Sequence, residues 1–200
     1  MSVETKTGYH HGNLRAQLVE AVRVLLEQKG PEGFSVSEAS RLAGVSTAAP
    51  YKHFKDKPDI MRAVAMEGMC RLRSAMLESL ERQSHRSLDR IIAIGRAYIG
   101  FARKEPGVFR MMFGQQDRDG VEADMQAAGE AAFDVLISEV ATYMNRELDD
   151  LDVRRNAYLL WTFVHGHAFL EIDQTMAPDG HKPDETYLLE TITRRVLLVS

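Results

Sequence analysis

Side chains suited to binding phosphate are concentrated between residues 46 and 57 of this 200-residue chain. Tyr51 and His53 can donate hydrogen bonds to phosphate oxygens, and Lys52 and Lys57 supply positive charge. If a helix begins near Lys57, its free backbone N–H groups would attract phosphate as well. These residue types at this spacing indicate contact with a nucleic-acid backbone.

The elements that must position these side chains are two short helices, predicted within residues 35–54. Ser35 can cap the first helix, because a serine there accepts a hydrogen bond from a backbone N–H of the first turn. Gly44 suits the left-handed turn that ends this helix. A second helix is predicted over residues 46–53. A helix, a glycine turn and a short second helix are the parts of a DNA-binding helix-turn-helix.

The second helix would read the bases. Thr47 and Ala48 open it and are candidates for contact with base edges, since a methyl group can pack against thymine. Pro50 is expected in its first turn, where a missing N–H costs little. Phe54 is expected to pack the core of the small bundle, whereas Tyr51 could either pack there or keep its hydroxyl free.

The stretch GVSTAAPYKHF, followed by KDKPDI, resembles the N-terminal signature of the TetR family of bacterial transcriptional regulators. The matching positions are Val36, Gly44, Val45, Ser46, Tyr51, His53, Phe54, Lys57 and Ile60. Pro50 departs from the signature, which usually has leucine there. YHHGNLR at 9–15 and WTFVHG at 161–166 resemble one branch of the family, which carries a Trp-His-Gly segment in its C-terminal domain. The N-terminal resemblance covers about the first 60 residues.

The resemblance implies an all-α subunit of about nine helices, split three and six. It implies a helix-turn-helix domain at 9–55 and an effector-binding and dimerisation domain at 56–200. In the family, the matching tyrosine, histidine and lysine contact phosphate, so that role is expected here. The full set predicted to contact DNA is Ser35, Ser46, Thr47, Ala48, Tyr51, Lys52, His53 and Lys57. The periodicity of apolar residues independently predicts helices throughout the chain.

Bulky aromatic and methionine side chains cluster in two segments of the C-terminal part. Such side chains can line an adaptable apolar pocket, although they can equally be plain core. The residues predicted to form an effector pocket are Phe101, Phe109, Met112, Phe113, Trp161 and His165. A small apolar or amphipathic effector is expected. The long helix predicted after Asp56 would act as a lever between this pocket and the DNA-binding end.

The last two predicted helices, near 152–176 and 185–199, have more apolar surface than one small domain can bury. A two-fold dimer is the natural use of such a surface, and the resemblance implies a four-helix interface built from these helices. The residues predicted at this interface are Tyr158, Phe163, Leu188, Ile192 and Val196.

Catalysis is not indicated, because no nucleophile elbow or phosphate-binding glycine loop is present. No cofactor and no metal are expected. His167 and Glu171, four residues apart on a helix, could share an ion, but two ligands without a third make a weak case. The single cysteine, Cys70, suits a reducing cytoplasm.

Charge is distributed unevenly along the chain. Residues 1–55 hold seven Lys or Arg and five Glu, a net +2, although the whole chain carries −4. A more basic N-terminal part fits phosphate contact there. We therefore expect a cytoplasmic, homodimeric regulator, most simply a repressor, that binds a palindromic double-stranded operator and no membrane. The rivals are a helical enzyme or ligand carrier with a misleading N-terminal bundle, and a protein-interaction module.

Overall fold

The computed structural model describes residues 14–114, 123–175, 180 and 183–198, and this part of the chain contains eight α-helices and no strand. The helices are α1 (Leu14–Lys29), α2 (Val36–Leu42), α3 (Lys57–Leu80), α4 (Leu88–Lys104), α5 (Pro106–Phe113), α6 (Ala123–Met144), α7 (Leu151–Ile172) and α8 (Glu185–Leu198). The prediction of an all-α chain with about nine helices is thereby confirmed. None of these helices combines the length and the apolar character needed to cross a membrane.

The chain divides into two compact units, Met1–Ala65 and Met66–Ser200, so that α3 contributes residues to both. The predicted start of the first domain at residue 9, with His10 and His11, lies outside the described residues. In the first unit, α1 packs on α2, and its buried stripe includes Leu18, Val22 and Leu25. Ser35 caps α2 as predicted, because its Oγ accepts a hydrogen bond from the Glu38 backbone N–H at 3.2 Å.

The second helix of the predicted helix-turn-helix is the main difference between sequence and structure. Residues 46–53 form successive turns with one short 3-10 helix, Pro50–Lys52, preceded by Ala49 without a side-chain cap. The backbone bonds run three residues back, from Ala49 N to Ser46 O and from Lys52 N to Ala49 O. An α-helix starting at Ser46 would need the Pro50 N–H to bond the Ser46 carbonyl, and proline has none. The proline therefore favours the tighter turn.

The second unit packs α4 through α8 around one apolar core, with α4 touching each of α5, α6, α7 and α8. The most deeply buried side chains there include Leu72, Ile99, Val108, Phe109, Val140 and Leu189. Asp150 caps α7 by accepting hydrogen bonds from the Asp152 and Val153 N–H groups at 2.8 and 3.3 Å. Arg90 of α4 binds Glu139 of α6 through two hydrogen bonds, of 2.6 and 2.8 Å. That ion pair fixes α4 against α6.

Candidate nucleic-acid interface and ligand cavity

The turns over residues 46–53 separate an outer and an inner set of side chains. Ala49, Pro50 and Phe54 are buried, and the Arg15 guanidinium lies 5.2 Å from the centre of the Phe54 ring. Phe54 is only 4% exposed, so the expectation that it packs the core holds. The outer set is exposed and consists of Ser46, Thr47, Ala48, Tyr51, Lys52 and His53. The three buried residues anchor this segment, and the outer set forms an exposed row of side chains over residues 46–53.

Tyr51 is the decisive member of the outer set. Its side chain is 62% exposed, which excludes a core role in the isolated chain. An exposed tyrosine can stack or donate its O–H to a phosphate oxygen without breaking any packing. The neighbouring Lys52 and His53 are exposed on the same stretch, so the three side chains present a positive charge and neutral hydrogen-bond donors to solvent.

Lys57 is less free than the sequence suggested. Its Nζ donates to the Phe34 carbonyl oxygen at 2.9 Å and lies 4.4 Å from the centre of the Phe34 ring. Lys57 is half-buried, so the ammonium anchors the segment that leads into α2. An ammonium carries three N–H donors, and two of them still have the capacity to reach a phosphate.

The start of α3 is already supplied with acceptors. Asp56 Oδ1 accepts the Asp59 N–H at 2.9 Å, and Asp59 Oδ2 accepts the Lys55 N–H at 2.9 Å. Negative side chains are favourable at a helix N-terminus, where they satisfy the N–H groups that a phosphate would otherwise use. The phosphate site predicted at the start of this helix therefore depends on side chains more than on free backbone groups.

Ser35 serves the local fold. Its hydroxyl oxygen caps α2, and the Glu38 carboxylate pairs with Lys29 of α1. The hydrogen bond from Lys29 is the main reason that the pKa of Glu38 is lowered. Ser35 is exposed and keeps its own O–H available, so it holds α2 in place while remaining accessible.

The second unit contains a cavity of about 320 Å³ that is lined by all six of its helices, α3 to α8. Its walls are mostly apolar, and the lining side chains with polar atoms are those of Tyr98, Glu130, Tyr158, Trp161 and Thr193. Lining residues are Met69, Leu72, Met76, Ile91, Ile94, Gly95, Tyr98, Phe113, Gly129, Glu130, Ala132, Phe133, Leu136, Tyr158, Leu160, Trp161, Val164, Leu189, Ile192 and Thr193. A volume of this size suits a small lipophilic molecule.

The predicted effector residues divide between the cavity wall and the core. Phe113 and Trp161 line the cavity. Phe101, Phe109 and Met112 do not belong to its wall, and they are 6%, 0% and 7% exposed within the packed core. Phe109 packs edge-on against Tyr98, with ring centres 5.5 Å apart. Phe109 therefore lies behind Tyr98, which is a residue of the cavity wall.

His165 lies next to the cavity and is joined to it by a tyrosine. The Tyr98 hydroxyl and His165 Nδ1 are 2.8 Å apart and form a hydrogen bond. Burial lowers the pKa of His165 and raises the pKa of Tyr98, which keeps both groups uncharged near neutrality. Because Tyr98 is a residue of the cavity wall, this pair provides a polar group in a mostly apolar surface.

Most lining residues were not predicted as pocket residues. They come from α3, α4, α6, α7 and α8, and most of them are positions of the ordinary apolar stripe of their helix. Periodicity indicates which face of a helix is buried but not where two buried faces leave space between them. A local hint lies in Gly129, because no atom lies within 4 Å of a Cβ added there and a larger side chain would fill that space.

The predicted interface residues have mixed exposure. Tyr158 is 58% exposed, Phe163, Leu188 and Val196 are half-buried, and Ile192 lines the cavity. The large exposed apolar side chains on α7 and α8 are Leu151, Tyr158, Leu159, Leu170, Tyr187 and Leu198. A single chain therefore leaves a substantial apolar surface on these two helices.

Comparison with known proteins matches both parts of the chain to family models. Residues 18–64 match the model described as bacterial regulatory proteins, tetR family. Residues 91–195 match the model described as tetracyclin repressor-like, C-terminal domain. The nucleoid occlusion factor SlmA of Alteromonas mediterranea is 29% identical over 53% of this chain. The match spans 56% of that relative, so the chain covers little more than half of its length.

Solved structures share the fold. A protein of unknown function from Rhodococcus sp. RHA1 is 29% identical, with a TM-score of 0.80 over 97% of this chain and 98% of its own. The transcriptional regulator FadR of Bacillus subtilis, solved in complex with stearoyl-CoA, is 14% identical, with a TM-score of 0.68 over 91% and 97%. At that identity the second likeness shows a common fold.

Proposed function

The chain belongs to the tetR family of bacterial regulatory proteins, and from that premise we propose a ligand-responsive repressor that binds a palindromic operator as a homodimer. Family membership makes the chain a DNA-binding transcriptional regulator. The observation that carries the rest of the proposal is the mostly apolar cavity of the second unit, which gives a regulator of this kind a place for an effector.

The proposed DNA contacts use the exposed row over residues 46–53. Thr47 and Ala48 face base edges in the major groove, and Tyr51, Lys52 and His53 bind phosphate oxygens. Lys57 both stabilises the fold and binds a phosphate oxygen, since its hydrogen bond to the Phe34 carbonyl uses only one of its three N–H donors. Exposure of the whole row supports this assignment, because each side chain can reach DNA without unfolding the core that lies beneath.

The proposed effector is apolar or amphipathic. The cavity wall offers extensive contact to hydrocarbon and few polar partners, which favours lipophilic compounds with one or two hydrogen-bonding groups. The FadR structure holds stearoyl-CoA, and a ligand with an apolar chain is likewise compatible with the cavity of this chain. Tyr98 and Thr193 are positioned to orient the polar part of the ligand.

Regulation requires the effector to bind one conformation better than the other. We propose that the ligand favours an arrangement that cannot bind the operator, and that α3 transmits the change because it contributes residues to both units. A coupling of about 1–3 kcal/mol would change operator affinity by roughly 5- to 150-fold. By linkage, operator DNA must weaken ligand binding by the same factor.

The test begins with a screen of lipophilic compounds by the fluorescence of Trp161, which is the only tryptophan and lies in the cavity wall. Operator affinity is then measured by fluorescence anisotropy with and without each compound that binds. Gly129→Phe should abolish ligand binding, because Gly129 lines the cavity and no atom would lie within 4 Å of an added Cβ.

Gly100→Phe is the matched control. Gly100 also has no atom within 4 Å of an added Cβ, but it is not part of the cavity wall. It should retain ligand binding and operator binding. The proposal of a ligand-responsive regulator fails if a compound that binds tightly, and is displaced by Gly129→Phe, leaves operator affinity unchanged.

A further inference from the structure

Three potential metal ligands converge at the ends of α7 and α8, away from the cavity wall. His167 and Glu171 lie four residues apart on α7, and Glu185 is the first residue of α8. One donor atom from each lies within 4.8 Å of the other two. All three residues are half-buried, which distinguishes them from the acidic pairs that are common on exposed helices. The third ligand, absent from the sequence argument, comes from the next helix.

The imidazole of His167 has an unused polar atom. Its Nε2 is buried and makes no hydrogen bond within the described part of the chain. Glu171 Oε1 faces that nitrogen at 3.9 Å, which is too long for a hydrogen bond. The ring is held by stacking on Phe163, with the two planes 5° apart. A buried nitrogen without a partner is costly, and coordination of a cation would remove that cost.

Arg103 of α4 binds one oxygen of each of the two carboxylates. Its guanidinium donates to Oε2 of Glu171 and to Oε2 of Glu185, both at 2.5 Å. The oxygen of Glu171 that faces His167 is the other one, Oε1. The Arg103 side chain is 54% exposed, so it can turn toward solvent when a second cation arrives.

We propose that His167, Glu171 and Glu185 form a binding site for a divalent transition-metal ion, with zinc as the preferred probe. One imidazole nitrogen and two carboxylate oxygens are a ligand set that zinc accepts in proteins. Donors around a tetrahedral ion at ~2.1 Å lie ~3.4 Å apart, so small rotamer changes close the observed spacing. The fourth position would be taken by water.

The consequence is a cross-link between two helices. Glu171 is the second-last residue of α7 and Glu185 begins α8, so the ion would join the end of one helix to the start of the next. The site uses no residue of the exposed row at 46–53 and no residue of the cavity wall. Its existence therefore does not depend on the proposed operator or effector.

The experiment measures zinc bound to the full chain. Protein stripped with EDTA and returned to chelator-free buffer is dialysed against micromolar zinc chloride, and bound metal is counted by mass spectrometry. The wild type should hold one zinc per chain at this site, with a raised midpoint of thermal unfolding. His167→Ala should lose that zinc, with affinity reduced by more than the ~10-fold that loss of a supporting partner costs.

Three variants sharpen the result. Glu185→Gln should also lose the site, and it carries the test if His167→Ala does not fold. Arg103→Gln should bind zinc more tightly than the wild type, because it removes a competing cation. His85→Ala removes an exposed histidine elsewhere and should bind like the wild type. Equal zinc content in the wild type, His167→Ala and Glu185→Gln would overturn the site, as would wild-type protein that binds none.

Discussion

At the scale of the residue, Lys52 and Lys57 differ in what each contributes to the fold. Lys52 is exposed, whereas Lys57 is half-buried and bonded to Phe34. A loss of DNA affinity in a Lys57 variant could therefore arise from a weakened fold. Lys52 is the cleaner probe of a phosphate contact, and the two lysines together distinguish the two effects.

Lys52→Gln should weaken binding to operator and to unrelated DNA by similar factors and leave the thermal midpoint unchanged. If Lys52 neutralises one phosphate, the slope of log affinity against log salt should become less steep by about 0.9. Fluorescence anisotropy over a salt series measures this. Lys104→Gln, at an exposed lysine of the second unit, is the charge-matched control and should change neither quantity.

Thr47→Ala should act differently, because a base contact carries sequence information and a phosphate contact does not. We expect a change in the preferred operator bases with little change in affinity for unrelated DNA. Selection from a randomised duplex library measures the preference. An unchanged preference would remove Thr47 from the base-reading set.

Lys57→Met should lower the free energy of unfolding by about 1 kcal/mol, because it removes the hydrogen bond to the Phe34 carbonyl but keeps the aliphatic stem. Urea denaturation measures this. Lys55→Met, at an exposed position nearby, should be neutral. A Lys57→Met chain with wild-type stability would show that the bond to Phe34 contributes nothing in solution.

At the scale of the element, periodicity predicted the long helices because each buries one stripe along its whole length. It failed at residues 46–53, where a single proline outweighs the pattern by removing the N–H that an α-helical bond requires. It also failed to define the cavity, since six helices from distant parts of the sequence form the wall. Glu185, the third candidate metal ligand, was missed for the same reason, because it lies on a different helix from His167 and Glu171.

The ion pair between α4 and α6 makes a testable point about helix packing. Arg90 and Glu139 are 16% and 13% exposed, and the hydrogen bond to Glu139 raises the pKa of Arg90. Arg90→Met should cost about 3 kcal/mol of unfolding free energy, because a mostly buried carboxylate loses its partner. The double variant Arg90→Met, Glu139→Leu should regain most of that loss. A double variant as unstable as the single one would show that packing, and not the orphaned charge, decides the cost.

At the scale of the whole molecule, the exposed apolar surface of α7 and α8 accounts for the proposed dimer. Leu159 and Leu170 are 54% and 52% exposed. Gly166 lies between them in sequence, seven residues after one and four before the other, so the three share a face of α7. Ile192, predicted at the interface from sequence, lines the cavity, and a charge there would disturb ligand binding as well as assembly.

Gly166→Leu should therefore dissociate the dimer and leave the subunit folded. Gly166 is exposed, and no atom of its own chain lies within 4 Å of an added Cβ, so leucine fits the monomer and favours the helix. In a close helix-to-helix interface the same side chain would separate the two copies. Gly100→Leu, on α4 and equally unobstructed, is the matched control and should remain a dimer. Sedimentation measures the mass, and far-UV circular dichroism checks that helix content is kept.

The same variant tests the link between the dimer and the operator. A monomer carries a single helix-turn-helix domain, so the variant should lose its preference for a palindrome over a single half-site, while the wild type and the control retain it. A Gly166→Leu chain that sediments as a dimer and keeps that preference would place the interface elsewhere.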